Sequence, residues 1–230
     1  MNHYLYAIVD RLPAPWRPPA AGVAGAAVFP HRMDDLVILS SLLESIPVSG
    51  PRTLAVHQDV VASVVDAPAT LPFGYGTVVP APRLEDWLAT HRGTVTAALG
   101  VVRGCVEMVV KLLRLNGAIV HPGPGRGVGW DEPVLRPLAD ALIERAALAQ
   151  WRYRPSGGAG NVASAVSFLV PRADLGGFLA RIAPVASHAH DVAVVPTGPW
   201  APYSFVPDLG RPPLARVPAG PFEVAGRRAG

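Results

Sequence analysis

Thr197-Gly198-Pro199-Trp200-Ala201-Pro202-Tyr203-Ser204-Phe205-Val206 directly follows the apolar run Val192 to Val195. It reads as the end of a strand, a stiff turn and an aromatic clasp. Gly198 admits a left-handed dihedral. Pro199 and Pro202 fix their own φ and push the residues before them toward extended backbone. Trp200, Tyr203 and Phe205 carry enough apolar area to anchor that exit on a core.

Working back from this point, Asp191 to Val195 is a strand. Leu175, Phe178, Leu179 and Ile182 stripe a helix that Pro184 should terminate. Before it come a strand over Val162 to Val170, a turn over Ser156 to Gly160 and a short strand over Trp151 to Arg154. Leu135, Leu138, Ala139, Leu142, Ala146 and Ala149 mark a further helix. Asp131 is a natural N-cap for it, but Pro137 would then lie inside, so the regular helix is expected to begin near Pro137. Strand, helix and strand in this order resemble half of a ferredoxin-like unit. Asn116 to Gly129 holds five glycines and two prolines and reads as a linker. The expected division is therefore a first domain over 1–119, a second over 120–206 with a leading helix, and a Pro-, Gly- and Arg-rich mobile tail over 207–230.

The first half is also α+β. Tyr4 to Val9 is a short β-prone run ended by the Pro-rich stretch Pro13 to Pro19. Ala26 to Phe29 and Leu36 to Leu39, separated by His31 to Asp35, suggest a strand pair. Val56, Val60 and Val64 at i, i+4 and i+8 favour a helix over Leu54 to Asp66, closed by Pro68. Leu84, Trp87, Leu88, Val95, Ala98, Leu99 and Val102 share one face of a helix over Arg83 to Val102. Val106, Met108, Val110 and Leu112 then alternate with Glu107 and Lys111, the period of a strand with one wetter face. Each domain is thus expected to be a mostly antiparallel sheet covered by helices.

At 230 residues, half of them hydrophobic, the chain can bury a sizeable core. Its mean hydropathy is +0.30, yet Pro, Gly and charge cut the apolar residues into blocks well short of the roughly 18 to 20 needed to span a bilayer. Asp10 and Arg11 interrupt the first apolar block, so no secretory signal is expected. A single cysteine permits no internal disulfide and fits a reducing cytoplasm. The basic pI of 9.4 is placed mostly in the tail, where Arg211, Arg216, Arg227 and Arg228 against Asp208 and Glu223 give +2 of the chain's +3. A nucleic-acid binder carries its basic face on the folded body, so that class is set aside.

A search for chemistry is unproductive. Cys105 reads as a buried structural thiol. His188-Ala189-His190-Asp191 has metal-ligand types but no second cluster to complete a site, and reads as a solvated loop. Gly123, Gly125, Gly127 and Gly129 recur at every second residue, which is neither a dinucleotide fingerprint nor a Walker loop. Gly-x-Ser-x-Gly is absent. Asp34-Asp35 and Glu85-Asp86 are expected to cap helices or face solvent. Glu107 and Lys111 would stand about 13 Å apart on a regular strand and cannot pair with each other. No catalytic residue, metal or cofactor is expected, which leaves a binding or scaffolding protein.

Four segments in order resemble the GvpF/GvpL family of gas vesicle proteins. They are Tyr4-Leu5-Tyr6-Ala7-Ile8-Val9, Leu71-Pro72-Phe73-Gly74-Tyr75-Gly76-Thr77-Val78-Val79 preceded by the helical stretch around His57, Gly104-Cys105-Val106-Glu107-Met108-Val109-Val110-Lys111, and the closing clasp. Where many members place an Arg between Pro and Phe-Gly-Thr, this chain runs Phe73-Gly74-Tyr75-Gly76-Thr77, so any role of that Arg does not transfer. The resemblance implies an accessory protein of gas vesicle formation that binds the small hydrophobic shell protein, with other accessory proteins as further candidate partners, in the cytoplasm at gas vesicles, with no nucleic acid or membrane partner. It makes Phe73, Tyr75, Glu107, Lys111, Trp200, Tyr203 and Phe205 candidate signature or partner-binding residues. For Glu107 and Lys111, fixing strand register and meeting a partner both stand open. Aromatics beside Gly and Pro more often anchor turns. The rival reading is a small-molecule sensor or minor enzyme on a ferredoxin-like scaffold.

Overall fold

A computed structural model of the chain describes residues 1–115, 132–155, 162–187, 192–207 and 209. The chain divides into two compact units. The first comprises Met1–Val106 together with the described residues from Trp200 on, and the second begins at Glu107 and runs to Pro199. Each is an antiparallel-type sheet with helices.

In the first unit, β1 (Asn2–Val9) is the central strand. It pairs antiparallel with β3 (Leu36–Leu43), which pairs antiparallel with the edge strand β2 (Phe29–Met33). Along its other side lie two three-residue strands, β4 (Thr70–Pro72) and β5 (Val78–Pro80). Residues 73–77 are therefore a turn inserted into one interrupted strand. A register shift between Leu5 and Ala7 keeps Tyr4, Tyr6, Ala7 and Val9 in one core with Val37, Leu39, Val60, Val61 and Val64. All of Tyr4 to Val9 are fully buried, so β1 is covered on both faces. Helix α1 (Pro51–Ala62) packs on β1, and α2 (Leu84–Val102) packs on β4 and β5.

The local sequence explains most boundaries. Gly50 is the N-cap of α1 and Pro51 its first residue, where the missing N–H costs nothing. The buried face of α1 is His57, Val60 and Val61, and the helix ends at Ala62, four residues short of the expected Asp66. The hairpin β2–β3 is as expected, but β2 starts at Phe29, so the Ala26 to Phe29 run contributes only its last residue. Asp34 holds a φ of 55° in the turn, and Asp34 and Asp35 both meet Arg92 of α2, at 2.7 and 2.5 Å. On so exposed a surface this adds little stability.

In the second unit, β6 (Cys105–Arg114), α3 (Glu132–Ala146), β7 (Trp151–Pro155), β8 (Val162–Pro171), α4 (Leu175–Ala186) and β9 (Val192–Trp200) follow in βαββαβ order. The strands lie β7-β8-β6-β9 across the sheet, the arrangement of a ferredoxin-like unit. Here the structure differs from the expected division at 119/120. That division gave the strand after Gly104 to the first domain, whereas β6 is an inner strand of the second sheet. The expected boundary falls between β6 and α3, which both belong to the second unit. The linker 116–129, the turn 156–160, Asp131, His188–Asp191 and most of the tail lie outside the described residues.

Three other expectations change. Pro137 lies inside α3, and Pro184 lies inside α4 two residues before its end. Proline removes one helix hydrogen bond and crowds the carbonyl four residues back, and the apolar stripes Leu135, Ala139, Leu142, Ala146 and Phe178, Ile182, Val185 are buried in one core that offsets this cost. β9 continues through Thr197 to Trp200, so the strand absorbs the residues read as a turn. Gly198 does take a positive φ of 129°. Phe168 and Phe178 meet at 5.3 Å in the centre of this core. Phe168→Ala should cost about 3–5 kcal/mol by its transfer and cavity terms, read as a lowered urea midpoint of the second unit's transition.

Candidate functional site

The β1 tyrosines organise the first unit through two hydrogen-bond relays. His57 on α1 is buried at 1% exposure; its Nε2 lies 3.0 Å from the carbonyl of Phe73. That oxygen can only accept, so Nε2 carries the hydrogen and the neutral tautomer is fixed. Nδ1 therefore accepts from the Tyr4 hydroxyl at 2.9 Å, and the Tyr4 oxygen accepts the Gly76 N–H at 3.1 Å. The relay leaves the 73–77 turn at Gly76 and returns to it at Phe73. Its ends are also held by Phe73 N–H to Tyr6 O at 2.8 Å and Leu5 N–H to Thr77 O at 2.9 Å. Gly76 has a φ of 83°, a conformation that costs a side-chain-bearing residue.

The second relay has the same logic. The N–H of Val23 donates to Tyr6 Oη at 2.8 Å, Tyr6 to Ser41 Oγ at 2.9 Å, and Ser41 to the carbonyl of Ala27 at 2.8 Å. It pins the loop around the 3-10 turn Val23–Gly25. Gly22 sits against it, and a Cβ there would come within 2.3 Å of Tyr6 Oη and 2.8 Å of Ser41 Oγ.

Burial drives the electrostatics. Desolvation pushes His57 down to about 4, against the opposing hydrogen bond to Phe73, and pushes the phenols of Tyr4 and Tyr6 well up. The rings of Tyr4, Tyr6 and Tyr75 stand 5.6, 5.5 and 5.9 Å from that of His57. Tyr75 reaches outward, its hydroxyl donating to the Pro47 carbonyl at 3.1 Å. This places the exposed Ile46 and Val48 beside it.

A second polar place is a cleft of about 600 Å³ lined by residues including His3, His31, Arg32 and Glu85. His3 Nδ1 and Ser40 Oγ are 2.9 Å apart, and the His3 and His31 rings meet edge to face at 4.7 Å. Burial lowers both imidazoles, His3 further through His31. Among the described residues no three His, Cys, Asp or Glu side chains form a metal-binding group.

The candidate residues separate into two groups. Phe73 is buried with its ring 5.8 Å from that of Trp87, a turn anchor. Tyr75 is half-buried. The clasp returns to the first unit, where Ala201 joins the core and Phe205 is buried. Trp200 and Tyr203 do not anchor it as expected; they are 52% and 38% exposed. Glu107 and Lys111 lie on β6 in the second unit. Glu107 is 3% exposed, so the face expected to be wet is covered there. Cys105, expected to be buried, is half-buried. His57 was not a candidate from the sequence. Its signal was its spacing, since His57, Val60, Val61 and Val64 fall at i, i+3, i+4 and i+7, and a histidine in such a stripe needs partners for both nitrogens.

One unit with a central strand carrying two loop-holding relays, and one ferredoxin-like unit, define a two-unit α+β protein. The sequence profile of the gas vesicle synthesis protein GvpL/GvpF family matches residues 2–121 and 132–207; the chain belongs to this family. Its fold is similar to the crystal structure of gas vesicle protein GvpF from Anabaena, with a TM-score of 0.72 at 15% identity over 90% of this chain and 96% of that one. GvpF from Microcystis aeruginosa is similar with a TM-score of 0.68 at 16% identity, over 90% of this chain and 99% of that one. No curated protein sequence matches the chain. Among the described residues no helix is long and apolar enough to cross a membrane.

Two measurements test the relays. Unfolded His57 takes its proton near 6.5 and the folded one only near 4, so between these values the unfolded state binds more protons. The stability contributed by neutral His57 is complete above about pH 6.5 and falls by about 3 kcal/mol as the pH drops through 4. His3 and His31 act in the same direction, so the His57 share is the difference between wild type and His57→Gln in urea midpoints from pH 7 to pH 4. Separately, Gly22→Ala should destabilise by about 1–3 kcal/mol through overpacking, seen as a lower Tm.

Proposed function

We propose that this protein is an accessory factor of gas vesicle formation that binds the small hydrophobic shell protein through the aromatic surface around the 73–77 turn. The observation that carries the reading is a run of exposed apolar groups in the first unit of a GvpL/GvpF family chain. Val48 is 89% exposed, and Ile46, Trp200 and Tyr203 are exposed as well. Ile46 and Val48 flank Pro47, which the Tyr75 hydroxyl holds. Tyr203 is near enough to Tyr4 to act on its titration, and the Tyr4 ring lies 5.8 Å from that of Tyr75.

The physical case is one of matching surfaces. A shell subunit that polymerises around gas must expose apolar area, and before assembly that area favours aggregation. Aromatic groups fixed on a rigid turn can cover it while losing little side-chain entropy. The turn is well suited because both its ends and its middle are hydrogen-bonded to β1 and α1. On this reading the buried Phe73 and Phe205 support the surface, and Tyr75, Trp200 and Tyr203 form it. The protein works by holding a subunit, in the cytoplasm at growing vesicles, and no bond is made or broken.

Co-expression of the tagged chain with the shell protein should recover the shell protein on the tag. Trp200→Ala with Tyr203→Ala should reduce that recovery about tenfold or more, with Tm unchanged within a few degrees. Equal recovery by the double variant contradicts the assignment of the surface. No recovery by the wild type, with normal vesicles in a deletion strain, contradicts the function.

A further inference from the structure

We propose that His57 is the positioning residue of the docking turn, and that a proton on its ring releases the turn from the sheet. This rests on the reading of the 73–77 turn as part of the binding surface.

The relay has a fixed direction. Hydrogens run from Gly76 N to Tyr4 Oη, from Tyr4 Oη to His57 Nδ1, and from His57 Nε2 to Phe73 O. Protonated His57 has a hydrogen on Nδ1 as well, and that hydrogen points at Tyr4 Oη. Tyr4 must then turn its own hydrogen away from Nδ1, the acceptor it has lost, since its other partner, the Gly76 N–H, is itself a donor. Tyr4 is fully buried, so the hydroxyl bears the cost of an unsatisfied donor.

Among the described residues no charged side chain offsets the new charge, and the Phe73 carbonyl that favours it is outweighed by burial. His57 faces the phenols of Tyr4 and Tyr6 from β1 and that of Tyr75 from the turn. Relief comes most cheaply from the turn. Tyr4 belongs to a central strand paired on both sides, whereas the turn is flanked by strands of three residues. Residues 73–77 can lift away with the 70–72 and 78–80 registers on β1 intact. Water then reaches the Tyr4 hydroxyl, and Tyr75 loses its fixed position. The same proton that opens the turn should release the bound subunit.

The test is NMR on the full chain from pH 7 to pH 4, following the His57 ring nitrogens and the protection factor of the Gly76 amide, which corrects for the pH dependence of intrinsic exchange. Gly76 protection should fall about tenfold or more in step with the titration of His57, while the Leu71 amide on β4 stays protected. His57→Gln keeps a donor for Phe73 O and removes the titration, so its Gly76 protection should be flat over this range. Tyr4→Phe should lose Gly76 protection already at pH 7 and let His57 titrate closer to 6.5. Gly76 protection that is constant while His57 titrates overturns the proposal; if His57→Gln does not fold, so does a Gly76 amide that stays protected in Tyr4→Phe. Shell-protein capture at the same pH values separates the two readings. Capture absent at pH 7 with a titrating Gly76 removes the docking surface and leaves the latch, whereas capture unchanged where Gly76 is open removes the release step.

Discussion

Two phenol hydroxyls on one strand hold the first unit together. Tyr4 and Tyr6 are fully buried on β1, and a bare phenol in that position would carry the penalty of an unmade hydrogen bond. Each avoids it by accepting a backbone N–H from one loop and donating to a side chain, which in turn donates to a carbonyl of the same loop. The consequence is structural economy. A single strand sets the conformation of the 73–77 turn and of the loop at 22–27, two segments whose own sequences, rich in Gly and Ala, specify little. Burial keeps His57 neutral, and the Tyr4 relay fixes its tautomer, because its two nitrogens are committed to opposite roles.

The second unit is built on a different principle. Its core is nearly all apolar, from Met108, Val110 and Leu112 on β6 through Phe168 and Phe178 to Val185 and Val192, and its strand order follows from the βαββαβ sequence of elements. One ion pair ties its helices' ends: Arg181 meets Asp174 at 2.7 Å and donates to the Ala146 carbonyl at 3.2 Å. The described aromatic surface lies on the first unit.

Much of this plan was legible in the sequence because periodicity is a strong signal where one face is buried. α2 was placed to within a residue from its Leu and Val stripe, and β8 likewise from its apolar run, whereas β9 runs five residues past the expected Val195. What could not be read was long-range. No local feature says that β6 pairs with β8 and β9, so a linker drawn from glycine content put it in the wrong sheet. Trp200 and Tyr203 look like core anchors by residue type, yet Ala201 and Phe205 fill that role. His57 was hidden for the same reason, since its partners are 16 and 53 residues away. Tyr75 was singled out from the motif, but its hold on Pro47 depends on a contact 28 residues distant.

Membership of the GvpL/GvpF family and the exposed aromatics of the first unit meet in one account, in which this protein grips a hydrophobic subunit. Site-directed photo-cross-linking in cells co-expressing the shell protein tests it most directly, with the photoreactive residue placed in turn at Val48, Tyr203 and, on the second unit, Leu179. The account predicts adducts with the shell protein from positions 48 and 203 and few from position 179. Adducts from 179 alone, or none from any position in cells that make vesicles, would contradict it.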